Sequence, residues 1–187
     1  MVQQRAMEQV IERPLPKPSS ADYASARLLE ALVEAELALE FLRRGLTRNA
    51  AGKAFQAWRA VLAALLKLEL ERLKALAKSE EERRWLEERA VPRVPTSRMM
   101  SLSRLLEELG YERLTYITDR ALNLHDYQYH GPDPDMALSK YRTREEAAYF
   151  IKSLIEVVAE YAEKLKNRVA WTEEHERAYS ALVGGLG

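Results

Sequence analysis

The sequence predicts an all-α protein: an up-and-down four-helix bundle with an extra short C-terminal helix and an extended N-terminal arm. Three observations predict it. Apolar residues recur at steps of three and four through every long segment, the period of a helix with one buried face. Strand-like alternation is apparent nowhere. The connections between the long segments are mostly short, which favours antiparallel neighbours. The chain has 187 residues, enough for a single domain with a sizeable core, here residues 21–187 behind an arm at 1–20.

Each element has its own signal. In RPLPKPSS, three alternating prolines exclude helix and favour an extended arm. Ser19 or Ser20 can then cap a first helix, whose stripe is Leu28, Leu32, Ala35, Leu39 and Leu42. Gly45 stops it. Thr47 can cap a second helix with Phe55, Trp58, Leu62, Leu65, Leu66 and Leu73 on its buried face. Residues 79–100 break the pattern: SEEERRWLEERA can form a short charged helix, and VPRVPTS reads as non-helical. A third helical region starts near Ser101, is interrupted at Gly110, and resumes through Leu114, Ile117, Ala121 and Leu124 to end at Gly131-Pro132. Thr143 with Glu146 forms a capping box that opens a fourth helix along Phe150, Ile151, Leu154, Val158, Tyr161 and Leu165. Thr172 can cap the short fifth. In this topology the turn between helices 1 and 2 lies beside the end of helix 3.

Composition excludes several functions. Formal net charge is zero, so no global basic field steers the protein onto nucleic acid, and any such contact needs a local patch. Without cysteine, disulfides, thiolate nucleophiles and Cys-based zinc sites are excluded. The longest apolar run, AVLAALL, is far too short to cross a bilayer, and the N-terminus lacks an apolar signal core, so the expected compartment is the cytoplasm with no membrane partner.

Two stretches carry candidate chemistry. RRGLTRNAAGK (43–53) supplies Arg43, Arg44, Arg48 and Lys53, a local basic patch that could contact nucleic acid. It is not a phosphate loop, because Ala54 stands where Ser or Thr would follow the lysine. RALNLHDYQYH (120–130) holds two of the three histidines, and GPDPD follows at once. As metal ligands only Asp126 and His130 have helical spacing, and the DPD segment is explained by its turn residues. No metal and no cofactor are expected. What remains is Arg120, His125 and Tyr127.

R-x-x-x-x-H-x-Y near the end of the third helix of such a bundle resembles the HEPN (higher eukaryotes and prokaryotes nucleotide-binding) superfamily, especially its toxin members. The stretch ALVEAELALEFLRRGLTRNAAGKAFQAWRAVLAALL (31–66) also resembles the archaeal PaREP family, which belongs to that superfamily. The resemblance covers roughly residues 21–168. It implies a metal-independent ribonuclease site at a homodimer interface, with Arg120, His125 and Tyr127 as the catalytic set. In some toxin members the motif tyrosine is adenylylated by a nucleotidyltransferase antitoxin, which would then be a partner. Those toxins place a polar residue directly after the arginine, where this chain has Ala121.

Helix geometry bears on the set independently. Arg120 and Tyr127 are seven apart and share a stripe, whereas His125 lies roughly 140° round the helix from Arg120. One straight helix does not aim all three at one phosphate, so the geometry favours a dimeric site or none. In an active protein His125 would be general base or acid in RNA transesterification, Arg120 would hold the phosphate, and Tyr127 would orient substrate or histidine. The competing expectation is a non-catalytic bundle that binds a nucleotide or a protein partner.

Overall fold

The structure is a computed structural model that describes residue 7 and residues 9–187. It is all-helical, with no strand among the described residues. The long elements are α1 (Tyr23–Arg43), α2 (Thr47–Leu68), α6 (Leu114–His130) and α7 (Arg144–Leu165). Between them lie α3 (Leu70–Leu76), α4 (Glu80–Trp85) and α5 (Met99–Glu108), and α8 (Glu173–Leu186) closes the chain. Helix α2 is central: it packs on α1, α6 and α7, while α8 lies against α1 and α7. Its burial follows from its sequence, since between Ala54 and Leu66 only Gln56 and Arg59 are not buried. The residues expected in the core are there: Phe55, Trp58, Leu62, Ile151 and Leu154 are each at most 1% exposed.

The arm differs from the expectation at its start. Residues 9–12 are helical, and the extended course begins with the prolines. The part of the arm before residue 7, and residue 8, lie outside the described residues.

Two caps also differ. Asp22, not Ser19 or Ser20, precedes α1, although the Ser20 hydroxyl accepts from the Asp22 N–H. Thr47 is the first helical residue of α2 and caps nothing, because its hydroxyl is engaged elsewhere. The predicted caps at Thr143 and Thr172 are in place; Thr172 shares its capping box with His175.

The largest difference is residues 79–100. Helix continues from α4 through the π-turn Leu86–Ala90 to Val91–Arg93, so VPR is helical after all. The Val91 N–H reaches back five residues to the Leu86 carbonyl, and this widened turn accommodates Pro92, which has no N–H to give. Its free carbonyls are taken by cations and a phenol from the central helices: Arg27 donates to Pro92 O at 2.9 Å, Arg59 to Arg93 O at 3.0 Å and Tyr23 to Val91 O at 3.2 Å. Cationic donors at a helix C-terminus also suit its dipole.

Two buried polar groups tie the remaining segments together. Trp58 Nε1 donates to Thr118 Oγ1 at 2.9 Å, and Ser103 lies 2.6 Å from the same hydroxyl, linking α2, α6 and α5. Glu69, at the break between α2 and α3, accepts from Arg72, Arg168 and Tyr111 at 2.9, 2.8 and 2.7 Å.

Candidate functional site

The turn between α1 and α2 does sit beside the C-terminal end of α6. Gly45, at φ +71°, ends α1, and Arg48 reaches across to the last carbonyls of α6, donating to Gln128 O at 2.9 Å and Tyr129 O at 2.6 Å. Gly131 at φ +71° lets the chain leave α6 directly beneath that side chain: a Cβ there would stand 3.4 Å from Arg48 Cδ. A third contact is buried. Tyr127 and Thr47 hydroxyls are 3.0 Å apart, and both residues are buried.

The three residues of the R-x-x-x-x-H-x-Y set point in different directions. Tyr127 is fully buried, edge-on to Tyr141. It cannot touch a substrate or accept a nucleotidyl group in this arrangement, so its role here is to clamp α6 to α2. Arg120 is half-buried on the flank facing α7. Its guanidinium donates to Ser153 Oγ at 2.9 Å and lies over the Phe150 ring at 5.3 Å. His125 is half-buried on the opposite flank, facing α2. Its ring stacks on Phe55 at 4.1 Å and meets Tyr129 edge-on at 5.1 Å. Burial pushes the imidazole below its ordinary value, against the pull of Asp126 and Gln128. Its Nδ1 is buried with no hydrogen-bond partner.

Between the two flanks runs a solvent-exposed face bearing Tyr116, Asp119, Asp126 and His130, with Asn123 hydrogen-bonded to Asp119. Ala121, by contrast, is buried in the core. Among the described residues no three His, Asp or Glu side chains are grouped to hold a metal ion.

The four cations expected to form one patch divide. Lys53 pairs with the buried Glu34 of α1 at 2.9 Å and is not presented with the others. Arg43 donates to Gly185 O, Arg44 pairs with Glu40, and Arg48 caps α6. The structure adds two that sequence reasoning missed. Arg142 donates to Pro134 O and Arg144 to Gly45 O, which brings both to this end. The signal for them was the return of the chain through GPDPD. Asp133 folds that loop by accepting the Leu138 and Ser139 N–H groups at 2.6 and 3.1 Å. Asp126, Asp133, Asp135, Glu145 and Glu146 share the same end, so it is not a uniformly positive field.

Fold and site thus define a class: an all-helical protein whose third long helix carries a histidine and an arginine on opposite flanks of an exposed face. Comparison with known families makes this specific. The model of the archaeal PaREP1/PaREP8 family matches residues 26–152, and the chain belongs to that family. No curated protein and no solved structure matches it. No helix of the described residues is long and apolar enough to cross a membrane.

Proposed function

We propose that the protein is a HEPN-like RNA-binding protein that acts as a homodimer, with α1, α2, α6 and α7 as its up-and-down four-helix bundle. The observation that carries this reading is the placement of Arg120 and His125. They are the two half-exposed members of the motif, and they flank one exposed face of α6. On the helix they stand roughly 140° and about 7.5 Å apart, too divergent for one phosphate. A second copy packed against that face can bring the arginine of one protomer to the histidine of the other. Burial favours the neutral form of His125, and Phe55 holds its half-exposed ring flat, which suits a proton acceptor. Arg120 would hold the scissile phosphate. Metal-independent RNA cleavage to 2′,3′-cyclic phosphate ends is the activity this arrangement supports, and an antitoxin nucleotidyltransferase remains part of the proposal only if Tyr127 becomes exposed.

The test is subunit complementation. Arg120→Ala and His125→Ala should each be inactive in EDTA. Mixed and re-assembled, they should regain activity, because one of the two sites in a heterodimer then has both groups intact. Inactive mixtures beside an active wild type would refute the shared site. A wild type that cleaves no RNA would favour the second reading, a non-catalytic binder of a nucleotide or protein partner through the same face. Two observations support that alternative: Ala121 and Tyr127 are both in the core.

A further inference from the structure

Within one protomer the arginine that shares a flank with His125 is Arg59, not Arg120. Helices α2 and α6 run antiparallel, with Thr47 against Tyr127, Phe55 against His125 and Trp58 against Thr118. Arg59 follows Phe55 by one helical turn, so it stands on the stripe against which His125 stacks. Its charge reaches the imidazole. Burial is the main reason that His125 lies below its ordinary value, and Arg59 pushes the same way, against Asp126 and Gln128. Both side chains are half-buried, so this flank is open to solvent.

Arg59 is also the cation on this side of α2 that lacks a carboxylate. Arg27 has Glu30 at 2.8 Å and Lys53 has Glu34 at 2.9 Å. Among the described residues Arg59 donates to neutral oxygens only, the Arg93 carbonyl at 3.0 Å and Gln56 Oε1 at 3.5 Å. These contacts use two of the five N–H groups of a guanidinium. Burial and the neighbouring Arg27 charge both disfavour its charged form, and Glu30, the carboxylate that offsets them, is already held by Arg27. A half-buried cation whose acceptors are all neutral gains more from an anion than an exposed arginine does. From this geometry we propose that Arg59 binds an RNA phosphate beside His125 of the same protomer. Its planar fork suits a phosphodiester, and the bond to the Arg93 carbonyl holds the guanidinium in place. Arg120 remains the arginine that a second copy brings to the same histidine, while Arg59 anchors the strand on the histidine's own side. The inference rests on the RNA reading and adds a contact that the R-x-x-x-x-H-x-Y spacing does not contain.

The probe is a fluorescent 2′-O-methyl oligoribonucleotide, which has no 2′-hydroxyl to attack its own phosphates, and the readout is anisotropy across a salt series. Wild type should bind it. Arg59→Gln keeps an N–H for the Arg93 carbonyl and removes the charge. It should weaken binding about tenfold and lower the slope of log K against log salt by about 1, the signature of one lost phosphate contact. Arg59→Lys should keep the slope and lose affinity, since it keeps the charge without the fork. A purely structural role would lower the active fraction and leave the slope unchanged. Should Arg59→Gln fail to fold, wild type supplies the answer: bound oligonucleotide should protect Arg59 from phenylglyoxal, read by mass spectrometry, and leave Arg13, which grips Glu174, as reactive as before. An unchanged slope in Arg59→Gln, or no protection of Arg59, would overturn this contact and leave the RNA reading standing. A wild type that binds no oligonucleotide would overturn both, and protection by a nucleoside monophosphate alone would assign the site to a nucleotide instead. Binding and protection without any cleavage of ordinary RNA would uphold the contact and sink only the nuclease reading.

Discussion

Tyr127→Phe separates a residue that holds the fold from one that touches substrate. The substitution removes a single oxygen from the core and keeps the ring against Tyr141. That oxygen has one hydrogen-bond partner, the Thr47 hydroxyl at 3.0 Å, which is itself 8% exposed. A neutral hydrogen bond contributes about 0.5–1.5 kcal/mol net, and a buried hydroxyl left without its partner raises the cost of breaking it. The expected loss is therefore about 1–2 kcal/mol. Thr47→Val should cost a similar amount. The two together should cost less than their sum by about 1 kcal/mol, because each single change already breaks the one shared bond.

Urea unfolding of the four proteins measures this directly. The midpoints should shift while the slopes stay constant. In a domain of this size each kcal/mol also lowers Tm by about 2–4 °C. RNA binding or cleavage, measured well below Tm, should be unchanged in Tyr127→Phe. Loss of RNA function in a protein of undiminished stability would refute the reasoning, since the hydroxyl would then act on a ligand. Strict additivity of the two substitutions would refute the clamp.

Three further outcomes follow from buried polar groups. Glu69→Ala should destabilise by about 1–2 kcal/mol in denaturant titrations, because it removes the carboxylate shared by Arg72, Arg168 and Tyr111, while the two arginines, 59% and 42% exposed, are rehydrated by solvent. Burial pushes the Glu69 carboxyl up, but hydrogen bonds from Tyr111, Arg168 and Arg72 outweigh it and hold it below its ordinary value of 4.5. Its contribution is therefore complete above that pH and disappears as pH falls through the lowered value, an acid limb that Glu69→Gln should flatten. Thr118→Val should cost about 2–4 kcal/mol, since it strands the Trp58 N–H and the Ser103 hydroxyl together, and calorimetric melting would show it. His175 is pushed below its ordinary value of 6.5 by burial, although its bond to the Ser25 carbonyl pulls the other way. The unfolded chain thus takes up the proton first, so stability should decline as pH drops below 6.5, His125 adding a contribution of the same sign. A melting temperature independent of pH across that range would contradict both assignments.

The helices were legible in the sequence because one physical signal, a repeated apolar face, dominates each of them. Phe55, Trp58 and Leu62 fall at three-four spacing and are all buried. The short charged helix in SEEERRWLEERA was legible and is present, but the helical course of Val91–Arg93 was not, because prolines at 92 and 95 report where a regular helix must fail and say nothing of a π-turn that absorbs one of them. Its anchors, Tyr23, Arg27 and Arg59, come from helices far away in the chain. Thr47 misled for a related reason. Its position suits a cap, but its hydroxyl found a better-placed partner in Tyr127, and tertiary contact overrode local preference.

The spacing of Arg120, His125 and Tyr127 was legible in the sequence, their surroundings were not, and helix geometry explains both. A linear motif fixes spacing; at 100° per residue it also fixes direction, and five residues send Arg120 and His125 to opposite flanks of α6. Each flank then meets a different neighbour. Arg120 finds Phe150 and Ser153 of α7, while His125 finds Phe55 of α2. Tyr127, two positions beyond the histidine, turns inward to Thr47 and Tyr141. The crowding at this helix end therefore has three separate physical causes in one protomer. Thr47 and Arg48 need something to hold, the core needs an aromatic plug, and the two flanks are left with one basic group each. Only the last is unexplained by folding. His125 packs its ring on Phe55 and edge-on to Tyr129, while its Nδ1 is buried without a hydrogen-bond partner, which costs free energy. Under the proposed dimer the exposed face between these flanks is where a second copy would pack, so that Arg120 and His125, which one helix sends apart, would meet across two protomers.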